Sequence, residues 1–484
     1  AFMWDEWWAG RFGNLYSQYW SQASYTDESR FKIRDGVNNN YFIYFYSGRD
    51  ANPPDGEING GGMKDLQRII ELNEGQDTKA EASVSGSNDN QIAVARILKA
   101  WMFQVLTDTY GYIPYSQALN LVEYTSPAYD SQQDIYAGLI IELTEAAAQI
   151  KTDEMSVLGD IIYGGDMAAW KKFAHSLLMR VGIRMANVNP AAAKKAIEDG
   201  SAGAFESNAD NAWFYFVDGK PNNNPLNENQ KTRSDFGVSK TLVDFLQART
   251  DPRLRMFANE PNTAPGEFYG FPYGMTNGEA TPISVDDVSM PSNLVYAPSA
   301  PGMYMNYDEV CFIMAEACAS LGVAGSAEEW YYKGIEASMM MWNDILGMTP
   351  TGWYRIDGNQ TTTLPDPITD TEIADYKAMA NVAWNAGNAA QLIAEQKYIA
   401  LYPSGLQAWF EWRRTDYPKE LITNGTTVDW EVAGGQSGTY TFSAMVDPGS
   451  RGIPKRMTYP ADEQTLNGAS YDAAVGAQGP DNFN

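Results

Sequence analysis

The side chains best equipped for bond-breaking chemistry are scarce in this chain. Its one histidine, His175, lies in the run 173–177 of an amphipathic helical pattern. A general base needs a nucleophile or a carboxylate aimed at it, and this setting reads instead as a packing position. A single histidine excludes paired-His zinc sites. The two cysteines, Cys311 and Cys318, sit seven apart in a strongly helical stretch. Seven residues rise roughly 10 Å along a helix, whereas a disulfide needs Cα atoms closer than about 7 Å. The pair therefore reads as two small core residues, neither a bridge nor a zinc site. Neither a G-x-S-x-G elbow nor a G-x-x-x-x-G-K-[ST] loop occurs. Asp50, Asn52, Asp55 and Gly56 approach a calcium-loop pattern one residue out of step, with Pro53 and Pro54 intruding, and read as a polar turn. The 61 acidic residues leave paired-carboxylate hydrolysis open, because it needs only two groups correctly placed in space. No local cluster selects such a pair. No metal or cofactor is expected.

Binding chemistry is better represented. Trp, Tyr and Phe make up 13% of the residues, and many fall outside the helical stripes: Tyr41, Tyr44 and Tyr46; Trp213 and Tyr215; Tyr269, Phe271 and Tyr273; Trp353 and Tyr354. Flat rings stack on sugar faces or pack on peptide side chains, while neighbouring Asn, Asp and Arg supply directional hydrogen bonds. The competing reading is that these rings anchor long loops to a scaffold. On this argument the candidate ligand-binding residues are Trp353, Tyr354, Tyr269, Tyr273, Tyr46 and Arg49, with no catalytic residue among them.

The formal charge of −27 makes nucleic acid an improbable partner, since such a chain repels phosphate backbones. No run of about 18 apolar residues could span a bilayer. The chain opens on Ala1 with Trp4, Trp7 and Trp8 close behind, which points to removal of an upstream leader, and with it any lipid-carrying cysteine.

The elements that would position these residues are helices. Apolar residues recur at helical spacing over 89–110, with Gly111 and Pro114 as stops. Asp130, with Gln133 three residues on, reads as the cap of a second helix carrying Ile135, Leu139, Leu143 and Ile150. A second pair runs from Trp170 to Met185 and then from an Asn189 cap with Pro190 in first position and Gly200 past the end. A third spans about 307–343, divided by Gly322 and a Ser326/Glu329 capping box. A fourth spans 388–415, opened by Asn388 and Gln391 and broken by Pro403 and Gly405. Paired helices with irregular spacing indicate a mostly α, TPR-like helix-pair superhelix. The expected organisation is a single domain over 1–484, with scaffold at about 1–200 and 306–415. Loop-rich insertions are expected at about 204–305, 345–368 and 423–484, and 36–62 also reads as loop-rich. Thr439–Phe442 suggests minor β structure.

Two stretches carry a resemblance. TDTYGYIPY at 107–115 closes a helix, and QKYIALYPSGLQAWFEWRRT spans 396–415. Weaker matches follow in order: YTDESR at 25–30, GGMKDLQRII at 61–70, YGGDMAAWKKFAHSLLMR at 163–180 and IPKRMTYPADEQTLN at 453–467. Together they resemble the SusD/RagB family of nutrient-binding outer-membrane lipoproteins. Tyr112, Gln117, Tyr398 and Asp416 stand where the family commonly has Asp, Glu, Trp and Gly. The resemblance implies a SusD-like fold, surface exposure through an N-terminal lipid anchor absent from this chain, and a SusC-like TonB-dependent β-barrel transporter as partner. It implies a glycan or oligopeptide ligand and places the signature residues in structural roles, with Arg413 and Arg414 pairing with carboxylates between helices. An α-helical glycoside hydrolase with paired carboxylates and a TPR-type interaction scaffold are the alternatives from other classes.

Overall fold

The computed structural model describes residues 6–48, 61–219, 222–350 and 364–483. Its longer helices are α1 (Asp35–Ser47), α2 (Met63–Glu74), α3 (Asn88–Tyr110), α4 (Gln132–Gln149), α5 (Met167–Arg184), α6 (Pro190–Ser201), α7 (Lys240–Gln247), α8 (Tyr307–Ser320), α9 (Ala327–Met348), α10 (Asp370–Ala378), α11 (Ala389–Ala400), α12 (Gly405–Thr415) and α13 (Gly468–Gln478). Helix α2 packs on α3, α3 on α4, α4 on α5 and α5 on α6; α8 packs on α9 and α11, and contacts between α5 and α8 join the two runs. This is the mostly helical, TPR-like stacking of helix pairs.

Local signals set most of these ends. Ser87 caps α3 by accepting from the Asn90 amide, and Gly111 at φ 84° ends it. Asn189 accepts from the Ala192 amide with Pro190 at the first position of α6, and Ser326 accepts from the Glu329 amide at the start of α9. Other signals read differently in three dimensions. Gly200 lies inside the last turn of α6. Asp130 is not a cap. Its carboxylate takes the amides of Tyr115 and Ser116 and the Ser116 hydroxyl, tying down the turn after α3, and the adjacent Ser131 caps α4. Gly405 opens α12 rather than breaking it; a Cβ there would meet the Gly13 carbonyl carbon at 2.3 Å, so the N-terminal segment can cross only a glycine. Residues 35–47 fold as α1 because Tyr41, Phe42 and Phe45 bury one helical face, whatever the asparagines at 38–40 suggest.

From Ala100 to Tyr110, α3 is buried on every side, which marks it as a central helix rather than a surface one with a single stripe. The N-terminal segment runs through the same core: Phe12, Leu15, Tyr16, Tyr19 and Trp20 have no exposed surface. The residues between the helix pairs share that core instead of lying over it. Phe236, Leu242, Phe257, Phe271 and Phe442 are fully enclosed, strand 236–238 pairs with 20–22, and Gly302–Met305 pairs with Ala212–Phe214. Residues 437–441 form the expected strand, in a hairpin with Thr427–Glu431. Cys311 and Cys318 are free. His175 packs against Gly203, and burial pushes its imidazole pKa down.

Asp308 is a costly feature of this core. It is buried at the start of α8, one oxygen has no hydrogen-bond partner, and desolvation followed by the neighbouring Glu309 charge pushes its pKa up to about 7. An acid held above its unfolded value binds its proton more tightly in the fold. Its contribution to stability is therefore present at low pH and is lost as pH rises from 3.8 towards 7. Asp308→Asn is expected to raise the melting temperature at pH 8, by about 1–3 kcal/mol in unfolding free energy, with much less gain at pH 4. Melting curves of both proteins at the two pH values check this; an equal change at both would contradict it.

Candidate functional site

A recess among the described residues encloses about 990 Å³. One wall is α7 with the turn that follows it, a second is the loop 266–270, a third is α10, and Glu431 of the hairpin closes the rim. Its floor is fastened from below. Arg253, without exposed surface, makes a bidentate pair with Asp251 at 2.9 and 2.6 Å and reaches Ser338 of α9, Tyr376 of α10 and Gln396 of α11. Arg249 does the same from the next turn, pairing with Glu395 at 2.6 Å and lying over the Phe245 ring. Such buried ion pairs fix the geometry of the groups above them.

Tyr269 is the aromatic of interest on the opposite wall. Its amide donates to the Ser289 hydroxyl at 3.1 Å and its carbonyl accepts from the Ser289 amide at 2.7 Å, so its backbone is held on both sides. Its hydroxyl donates to Glu267 at 2.7 Å, and its ring is partly open to the recess. Phe268 lies beside it, its carbonyl accepting from Gln247 of α7. Across from them Arg255 pairs with Glu372 at 2.8 Å and donates to the carbonyls of Asp366 and Pro367. The Arg255 hydrogen bond holds the Glu372 carboxyl down at about 2. The result is a polar recess with a pinned ring at its edge, suited to stacking and hydrogen bonding.

Of the sequence candidates among the described residues, only Tyr269 lines this recess. Tyr273 is a correction: four residues on, its ring has no exposed surface and its hydroxyl donates to the Leu15 carbonyl at 2.8 Å, so no face is available to a ligand. Tyr273→Phe is accordingly expected to leave ligand affinity unchanged while costing about 1 kcal/mol of stability, readable from paired binding and unfolding titrations; a loss of affinity at unchanged stability would contradict this placement. Tyr46 packs on Phe42 and Phe103 and donates to the Pro114 carbonyl at 2.7 Å, securing the turn after α3. Arg49, Trp353 and Tyr354 lie outside the described residues, as does the Asp50–Gly56 turn. Sequence reasoning missed Lys240, Asp244, Arg255, Glu372 and Asp375. The i,i+4 spacing of Lys240 and Asp244, which pair in the structure, was the one local signal available.

The signature arginines differ from each other. Arg414 pairs with Glu316 and Glu411, as expected. Arg413 meets no carboxylate among the described residues. It lies over the Trp409 ring and donates to the carbonyls of Lys455 and Asp108, because the C-terminal segment crosses the end of α12 at that point. Among the described residues no group of three acids, cysteines or histidines is disposed to hold a metal ion, and no helix is long and apolar enough to cross a membrane.

Comparison with known proteins gives this geometry a setting. The profile of a SusD-like family, described as starch-binding and associating with the outer membrane, matches residues 2–433. The chain belongs to the SusD-like family. No curated protein matches the sequence. Among solved structures, the SusD-like chain is similar to one named as a chitin-binding protein, at 27% identity and TM-score 0.77 over 99% of this chain and 95% of that one. It is similar also to a SusD homologue from Bacteroides uniformis ATCC 8492, at 26% identity and TM-score 0.73 over 98% and 94%. A SusD homologue from Bacteroides fragilis NCTC 9343, at 23% identity and TM-score 0.71 over 98% and 94%, shares the fold. This SusD-like protein is thus a member of an outer-membrane-associated nutrient-binding family, with a recess formed largely by the segments between its helix pairs.

Proposed function

We propose that this protein captures a glycan oligomer at the bacterial cell surface and passes it, uncut, to a TonB-dependent β-barrel transporter, itself held at the membrane by an N-terminal lipid. The observation that carries the ligand part of the reading is the Tyr269 recess: a partly open ring on a fixed backbone above a floor of paired ions, facing carboxylates, a lysine and an arginine. Sugar rings offer flat C–H faces to an aromatic and hydroxyls to such groups. The family's description as starch-binding, and the chitin-binding name of a structural relative, support a glycan over a peptide. Delivery to a transporter rests on the family resemblance. Binding favours the docked, closed arrangement only if ligand contacts both proteins or only that arrangement.

The hydrolase alternative cannot use Glu372 as its general acid. A general acid needs a raised pKa, and this carboxyl is instead held near 2 by Arg255 while its own oxygen caps α10 at Thr369. Electrophoresis in native gels cast with starch, with a soluble chitin derivative or with no polymer tests the proposal. Retardation in at least one glycan gel is expected. Unchanged mobility in every glycan gel, with binding to oligopeptides in a parallel titration, would replace the glycan by a peptide; no binding to either would remove the capture function.

A further inference from the structure

A second recess, of about 730 Å³, lies at the convergence of several helix ends and shares no lining residue with the first. Helices α3, α5 and α12 all end here, at Tyr110, Arg184 and Thr415, and the C-terminal segment around Lys455 and Gln478 forms the remaining wall. In a chain of net charge −27, its lining holds Arg184, Arg413, Arg414, Lys455 and Arg456 against a single acid, Asp108.

Pairing accounts for only part of this charge. Arg184 is matched by Asp108 and Glu411, and Arg414 by Glu316 and Glu411. Arg456 stands 3.6 Å from Asp481. The carboxylate of Asp108 is already engaged by Arg184, Tyr136, Gln104 and Gln132. Two cations are left over. Arg413 has no carboxylate within 4 Å among the described residues, gives its terminal nitrogens to two carbonyls, and keeps a buried Nε with no acceptor. Lys455 makes no ion pair or side-chain hydrogen bond among the described residues and is partly open to solvent. The negative ends of three helix dipoles explain why Arg184, Arg413 and Arg414 are tolerated here. They do not explain Lys455, which lies on no helix. Desolvation also pushes the Arg413 pKa down to about 10, as expected for a cation lacking its counter-charge.

We propose that this recess is a second binding site, for a small anionic group: a carboxylate, sulfate or phosphate seated against Arg413 and Lys455. An anion there supplies Lys455 with a charge-assisted acceptor and Arg413 with the counter-charge it lacks. A sugar acid or sulfated sugar presents the same chemistry as the free ions, so the arms of the test separate these sources.

Melting-temperature titrations with sodium sulfate, sodium phosphate and glucuronate, each at ionic strength held constant with chloride, read the site directly. Wild type and Tyr269→Ala are expected to show the same saturable rise with at least one of the three. Lys455→Gln is expected to shift its midpoint about tenfold higher, and Lys455→Glu to abolish it. Saturation with glucuronate alone assigns the site to carboxylates, and with sulfate or phosphate to tetrahedral anions. Because Lys455 holds nothing else in place, both variants should melt with wild type in chloride. Sulfate and phosphate also stabilise proteins by exclusion from their surface. A rise of equal size in wild type and Lys455→Glu, or no saturable rise with any of the three, would overturn the proposal.

Discussion

Replacing Tyr269 by alanine is expected to weaken oligosaccharide binding by about 30-fold, or about 2 kcal/mol, without lowering the melting temperature. The reasoning starts from exposure. The ring is partly open, is not part of the hydrophobic core, and hangs from a backbone fixed by Ser289 on both sides. Removing it therefore deletes contact area with ligand while leaving the fold's own packing intact. A rigid aromatic at the edge of a desolvated pocket is the type of residue that dominates binding energy. The backbone bonds to Ser289 mean that little ordering cost is incurred on binding, so most of the stacking energy appears as affinity. Tyr269→Phe keeps the ring and loses only the hydrogen bond to Glu267, and should stay within about threefold of wild type. An alanine variant that binds as wild type does would move the ligand away from this recess.

Glu411→Gln is expected to destabilise the protein by about 3–5 kcal/mol, the range for breaking a buried ion pair from one side. Glu411 sits on α12 with Arg184 at 2.8 Å, Arg414 at 2.6 Å and Lys397 at 3.1 Å, all of them buried or nearly so. Its carboxyl is held well below the usual range; burial opposes this, and the Arg414, Lys397 and Arg184 charges overcome it. The glutamine fits the same space but leaves three enclosed cations with Asp108 and Glu316 as their remaining acids. The sign in pH follows from a depressed pKa: the contribution is present above the unfolded value of about 4.3 and fades as pH falls through the folded one. Urea unfolding at pH 7 measures the difference, and a change below about 1 kcal/mol would show that the three cations do not depend on this carboxylate.

The helical scaffold was legible in the sequence because its signals are local. Helical spacing and caps such as Asn189 and Ser326 act within a few residues, and the structure uses them as written. The exception at α1 has the same origin, since a burial face of Tyr41, Phe42 and Phe45 outweighs weak local propensity. The site was legible only as an aromatic cluster. Tyr269, Phe271 and Tyr273 look alike in sequence, yet only the first is open. What separates them is pairing with distant chain: the backbone of Phe271 bonds to Val238 and Lys240, and Tyr273 reaches Leu15. No spacing rule within the loop encodes those partners. The same holds for the recess floor, where Arg253 gathers groups from α9, α10 and α11. Arg413 and Arg414 are adjacent and of one type, but the C-terminal segment makes a carbonyl acceptor available to the first and α8 a carboxylate to the second.

The measurement that bears most directly on capture without cleavage is a calorimetric titration with defined oligosaccharides of glucose and of N-acetylglucosamine, followed by recovery of the ligand and determination of its chain length. A saturable heat at one site, a matching loss in Tyr269→Ala, and ligand returned at its original length are the results predicted here. Shortened oligosaccharide, or no heat from any of them, would contradict the account.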